Sequence, residues 1–155
     1  MACPPGGERP LTAGEIALAR SVFDEAIDYG NVRIRRRKWF PFQPRRVTMA
    51  PRGHIHFHPR GDAYADDFST ASLAAQGLFI HEMTHVWQHQ RGIFLPLRRH
   101  PLSRYRYQLV PGRPLSRYGI EQQAEIVRHA FLARHGATPP GAADSGALEA
   151  LLEFA

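Results

Sequence analysis

The sequence predicts an α+β fold in which a small antiparallel sheet packs on a central helix, with a second long helix beside it. Three observations lead there. Short stretches alternate apolar and polar residues with the period of a strand, long stretches repeat apolar residues with the period of a helix, and one of those is apolar on nearly every face. With 155 residues, 43% of them hydrophobic, the chain suits one domain with one core. No apolar run reaches the roughly 18 residues of a spanning helix, so no membrane insertion is expected.

The segment 1–10 is rich in Pro and Gly and reads as a flexible N-terminal tail ahead of a single domain over 11–155. It lacks the apolar stretch of a secretory signal, so the expectation is a cytoplasmic protein, or one exported by a signal-peptide-independent system. Cys3 is the single cysteine, which excludes an internal disulfide and a cysteine-based zinc cluster.

Thr12 and Glu15 form a capping-box pattern, with Leu11 placed to staple onto Ile16. Ile16, Ala19, Phe23, Ala26 and Ile27 continue at helical spacing toward a stop at Gly30. Val32 and Ile34 alternate with Arg33 and Arg35 as a strand, a second strand is expected over 47–49, and Pro51-Arg52-Gly53 reads as a turn. Beyond it Ile55 and Phe57 alternate with His54, His56 and His58 in a third strand. A helix is expected over 70–90, carrying Leu73, Leu78, Phe79, Ile80, Met83, Val86 and Trp87 almost all round, as in a helix running through the core. A loop should cover 97–114, with a short strand over 105–109. A helix over 118–135 follows, striped by Ile120, Ala124, Val127 and Phe131 and closed by Gly136. A short terminal helix is expected over 148–154.

The core helix contains His81-Glu82-Met83-Thr84-His85. Four residues turn a helix by about 400°, so both imidazoles leave one face a turn apart and can hold one zinc ion, with Glu82 beside that face to accept a proton from a zinc-activated water. The competing reading is a pair of satisfied core histidines with Glu82 in an ion pair. Buried charges in an apolar helix are costly without a partner, and a metal is the simplest partner. A catalytic zinc needs a third protein ligand. Arg91 stands where a third histidine of a longer motif would fall, and His89, eight residues from His81, lies about 12 Å along the axis. Glu121 and Glu125, at i and i+4 on the second long helix, are the better candidates. Their competing reading is two exposed carboxylates with Arg128 as a salt-bridge partner.

At these residues the sequence resembles the gluzincin-type zinc metallopeptidases, in which a downstream helix with an E-x-x-A-D/E pattern supplies the third ligand. The resemblance implies His81, His85 and Glu121 as ligands of one Zn2+ per chain, Glu82 as general base, Glu125 as the outer carboxylate holding His81, and a zincin-like fold. Glu125 stands where the pattern usually has Asp, so Glu121 and Glu125 could exchange roles. The stretches 78–88 and 120–127 also resemble small bacterial Vgr-related or Rhs-associated zincin-like domains, which implies a link to type VI or contact-dependent secretion. By the same resemblance the 54–58 strand is the candidate for aligning a substrate backbone.

Tyr107, Tyr118 and Arg128 are candidate stabilisers of a developing oxyanion. His54, His56 and His58 stand about 7 Å apart on a strand face, which suits a polar cleft wall better than a metal site. All but one of the 20 basic residues are Arg, and the net charge is +6. The run from Arg33 to Lys38 with Trp39, Phe40, Phe42, Arg45 and Arg46 reads first as a solvated strand end whose aromatics return to the core, and second as a nucleic-acid contact. The resulting expectation is a zinc-dependent metallopeptidase acting on a peptide or protein substrate. Its alternatives are a non-catalytic zinc-stabilised adaptor of a secretion apparatus and a nucleic-acid-associated zinc protease.

Overall fold

Thr12 starts the first helix as its neighbours imply: its hydroxyl accepts from the Glu15 N–H at 3.0 Å, and the Glu15 carboxylate accepts from the Thr12 N–H at 2.9 Å. The computed structural model describes residues 2–98 and 105–154. This helix, α1 (Ala13–Phe23), ends well before Gly30. Asp24 adopts a positive φ of 49° and returns its N–H to Arg20, making the reversal that was expected of glycine. Ile27 is buried beyond that end, so the apolar spacing outruns the helix.

The segment expected as a tail belongs to the sheet. β1 (Glu8–Pro10) pairs antiparallel with β2 (Arg33–Arg35), and Cys3 is only 3% exposed. Arg9 explains the anchoring: its guanidinium reaches both oxygens of buried Glu15 at 2.8 and 2.9 Å, along with Tyr64 Oη and the Ala65 carbonyl. β3 (Ile55–His56) lies on the other side of β2 and runs parallel to it, so the sheet is mixed and not antiparallel. The chain between 35 and 55 has crossed back and re-enters from the same end, as a parallel pair requires.

The strand expected over 47–49 reduces to one bridge between Met49 and His56. Val47 donates its N–H to the Pro44 carbonyl and gives its own carbonyl to the Gln43 amide, so neither group is left for a ladder. Residues 105–109 likewise form no strand. The Arg106 carbonyl there accepts from the Gln122 amide instead.

α2 (Leu73–Gln90) starts on Ser72, whose hydroxyl accepts from the Ala75 N–H, and is buried from Phe79 to Gln88. Phe57, Phe68 and Phe79 stack in series, with centroids 5.4 and 5.5 Å apart, and fix this helix beside the end of β3. A short α3 (Leu95–Arg98) follows the Gly92 turn, in part of the segment expected as loop; 99–104 lie outside the described residues. α4 (Ile120–Arg134) packs along α2, and Gly136, at φ +79°, closes it as expected. The terminal helix α5 (Ser145–Glu149) begins earlier than expected because Asp144 caps it through the Ala147 N–H. Phe154, past its end, packs its ring on Phe23 and Trp87. The result is an α+β fold, and among the described residues no helix is long and apolar enough to cross a membrane.

Candidate metal centre

The two long helices bring the candidate ligands together. His81, Glu82 and His85 sit mid-helix in α2, at 7%, 4% and 4% exposure. Helical pitch puts the two imidazoles on one face, with ring centroids 5.0 Å apart. Glu121 enters from the first turn of α4: its Oε1 is 2.9 Å from His85 Nε2, and its Oε2 is 3.5 Å from His81 Nε2 without the geometry of a hydrogen bond. One ligand atom from each of these three buried residues lies within 4.8 Å of the other two.

Both outer ring nitrogens are occupied. His81 Nδ1 is 3.1 Å from Glu125 Oε2, and His85 Nδ1 is 2.8 Å from Gln88 Oε1. The Gln88 oxygen is identified by its amide nitrogen, which donates to the Ile120 carbonyl and to Gln123 Oε1. In the neutral rings each Nδ1 therefore donates, and each Nε2 presents a lone pair toward Glu121. Lone pairs facing a buried carboxylate at these distances require a proton or a cation between them. Two imidazoles and one carboxylate form a donor set that suits a transition metal, so His81, His85 and Glu121 could hold a metal ion.

The ionisation behaviour follows the same contacts. Burial opposes charging of His81, but the carboxylates of Glu121 and Glu125 outweigh it and lift its pKa to about 9. Burial would raise Glu121, yet the two histidines pull it well below the usual carboxylate range. Glu125 is also held low against its burial, chiefly by His81 and then by Arg128.

The other candidates lie at different distances from this cluster. Arg128 joins it through Glu125, with Nη1 3.4 Å from both carboxylate oxygens. The Tyr107 hydroxyl is engaged by His129 Nδ1 at 2.6 Å, and the Tyr118 hydroxyl accepts from the Val110 N–H at 2.9 Å. His89 points toward Gly53, where an added Cβ would meet its ring. His54 accepts from the Arg33 N–H, His56 contacts the Arg37 carbonyl, and His58 accepts from the Arg60 N–H, so each has its own local partner. The edge expected to align a substrate is taken at His56, whose N–H and carbonyl both pair with Met49.

In the basic run, Arg35 and Arg37 both bind Glu8, and Arg36 reaches the Cys3 carbonyl and lies over the Tyr64 ring. Its aromatics do not all return to the core: Phe42 is 85% exposed. Sequence reasoning passed over three residues. Gln88 and Gln123 link α2 to α4, and Tyr105 stacks over His81 with centroids 6.0 Å apart. The available signal was a glutamine three residues beyond His85, on the ligand face.

No family model matches the chain. The type VI secretion system spike protein VgrG2b of Pseudomonas aeruginosa is 47% identical over 135 residues, which cover 82% of this chain and 13% of that protein. The chain thus spans 13% of the length of that relative. Among solved structures, the effector domain of Pseudomonas aeruginosa VgrG2b matches with a TM-score of 0.79 and 44% sequence identity, covering 93% of this chain and 83% of that one. With that identity over most of both chains, the protein belongs to the family of the VgrG2b effector domain.

Proposed function

We propose that this domain is a zincin-like, zinc-dependent metallopeptidase that serves as an effector of a type VI secretion system and is exported without a signal peptide. The observation that carries the proposal is the meeting of His81, His85 and Glu121 at one buried point, with Glu82 on the same helix turn. A purely structural site has no use for a buried carboxylate between its two histidines in sequence. The secretion assignment is supported by the likeness to a spike protein's effector domain.

In this reading His81, His85 and Glu121 hold the zinc. Zinc bound there supplies a Lewis acid for the scissile carbonyl and for an attacking water. Glu82 takes the water's proton as its oxygen forms the new bond to carbon, and then gives that proton to the departing amine nitrogen. Glu125 keeps the His81 ring fixed by accepting from Nδ1, and Gln88 does the same for His85. Arg128 contacts Glu125 through Nη1, the hydroxyls of Tyr107 and Tyr118 are engaged elsewhere, and the Tyr105 ring stacks over His81.

Glu82→Gln tests the proposal. Zinc content and thermal stability should stay near wild type while hydrolysis of an unfolded protein substrate is lost. Wild-type activity in that variant would exclude Glu82 as the base.

A further inference from the structure

Beside the metal centre a cavity of about 530 Å³ opens between the 105–107 segment, α4 and the turn at 139–141. It begins at residues that touch His81: Tyr105 lies on the ring and Glu125 holds its Nδ1, and both line the cavity. Beyond them the lining changes character, and includes Arg106, Arg128 and His129.

These three side chains offer donors. Arg128 meets Glu125 through Nη1 alone, at 3.4 Å, so most of its guanidinium remains available. Arg106 is held at the mouth by its backbone, whose carbonyl accepts from the Gln122 amide at 2.9 Å. His129 Nδ1 is 2.6 Å from the Tyr107 hydroxyl, which also accepts from the Ala143 N–H; when the hydroxyl proton goes to Nδ1, the imidazole N–H is on Nε2. Among the described lining residues the single acid, Glu125, is already shared by His81 and Arg128. Two guanidinium groups and an imidazole N–H around one committed carboxylate make a cavity that attracts a further anion and disfavours a cation.

We propose that this cavity is a side-chain subsite that receives an acidic residue, Asp or Glu, of a peptide lying across the metal centre. The proposal deepens the peptidase reading and rests on it. An acidic side chain here can accept a forked pair of bonds from Arg106 or Arg128 and a third from His129. A glutamine of the same shape keeps one acceptor but loses the charge, and a lysine meets two cations.

The test uses zinc-loaded Glu82→Gln protein, so that binding is read without turnover. Acetylated, amidated alanine hexapeptides carrying one Glu, Gln or Lys, moved through each position, are titrated while NMR follows the arginine Nε–H signals and the amides of 105–107. In at least one register the Glu peptide should bind about 10-fold tighter than its Gln counterpart, and Arg106→Ala should erase that difference. Arg106→Glu should turn the preference toward Lys. A Glu preference in no register, or one that survives both Arg106 variants, overturns the subsite. The wild-type enzyme separates the two claims. A preferred peptide that binds but is never cut leaves the subsite standing and sinks the peptidase reading, whereas equal cutting of Glu and Gln peptides does the reverse.

Discussion

His85 and Gln88 are joined by a 2.8 Å contact between Nδ1 and Oε1, one turn apart on the same helix, and Gln88 is completely buried. Through its other end Gln88 binds the Ile120 carbonyl and Gln123 at the start of α4. One amide thus orients a candidate ligand histidine and ties it to the helix that carries Glu121. Gln88→Ala should weaken zinc binding by about 10 to 100-fold and cost about 1 to 3 kcal/mol of stability from the acceptors left buried. Gln88→Glu keeps the acceptor for His85 and should recover more of the affinity than of the stability. Chelator competition and thermal unfolding read the two effects separately.

Glu121 and Glu125 should respond differently to the same truncation. Glu121 lies against both Nε2 atoms, whereas Glu125 reaches only the far nitrogen of His81. Glu121→Ala should abolish stoichiometric zinc binding, and Glu125→Ala should reduce affinity by about 10 to 100-fold. Equal losses in a chelator titration would show that the two carboxylates share the ligand role.

Arg9 should behave as a core residue although it lies in a Pro- and Gly-rich terminus. Its partner Glu15 is fully buried, caps α1 and accepts from the Phe68 N–H. Arg9→Ala leaves that carboxylate uncompensated, and such breaks cost about 3 to 5 kcal/mol. Denaturant unfolding should show a loss of that size, also on deletion of 1–10.

His56 sets a pH dependence of stability. Burial first, with Arg35 nearby, depresses its pKa from 6.5 to about 4, partly offset by its contact with the Arg37 carbonyl. The unfolded chain therefore binds more protons between these values, and stability falls as pH drops from 6.5 toward 4, by about 1.4 kcal/mol per unit of displacement. His56→Gln should flatten that part of a stability-against-pH profile relative to wild type. An unchanged slope would assign the acid sensitivity to other groups.

Local chemistry was legible in the sequence where one segment contains both partners. The Thr12–Glu15 box and the shared face of His81 and His85 are of this kind, since helix geometry alone relates their atoms. The Glu121 helix was legible through its i, i+4 carboxylates, but only the packing of α4 on α2 separates Glu121 from Glu125. The parallel pairing of β3 was hidden because the path of 36–54 sets it, and neither strand's own pattern encodes it. Arg9 was hidden because a lone arginine among prolines gives no sign of a buried carboxylate in the following helix. Tyr105 was hidden for a related reason, as was the link from Gln88 to α4, since both depend on an element distant in sequence; the place of Gln88 one turn from His85 was the readable part.

Elemental analysis of protein purified without chelators, together with His81→Ala and His85→Ala, decides whether the His81, His85 and Glu121 cluster holds zinc. One zinc per wild-type chain and little in either variant is the expected result. Wild-type protein that binds no metal when zinc is supplied, or variants that keep the full complement, would contradict it.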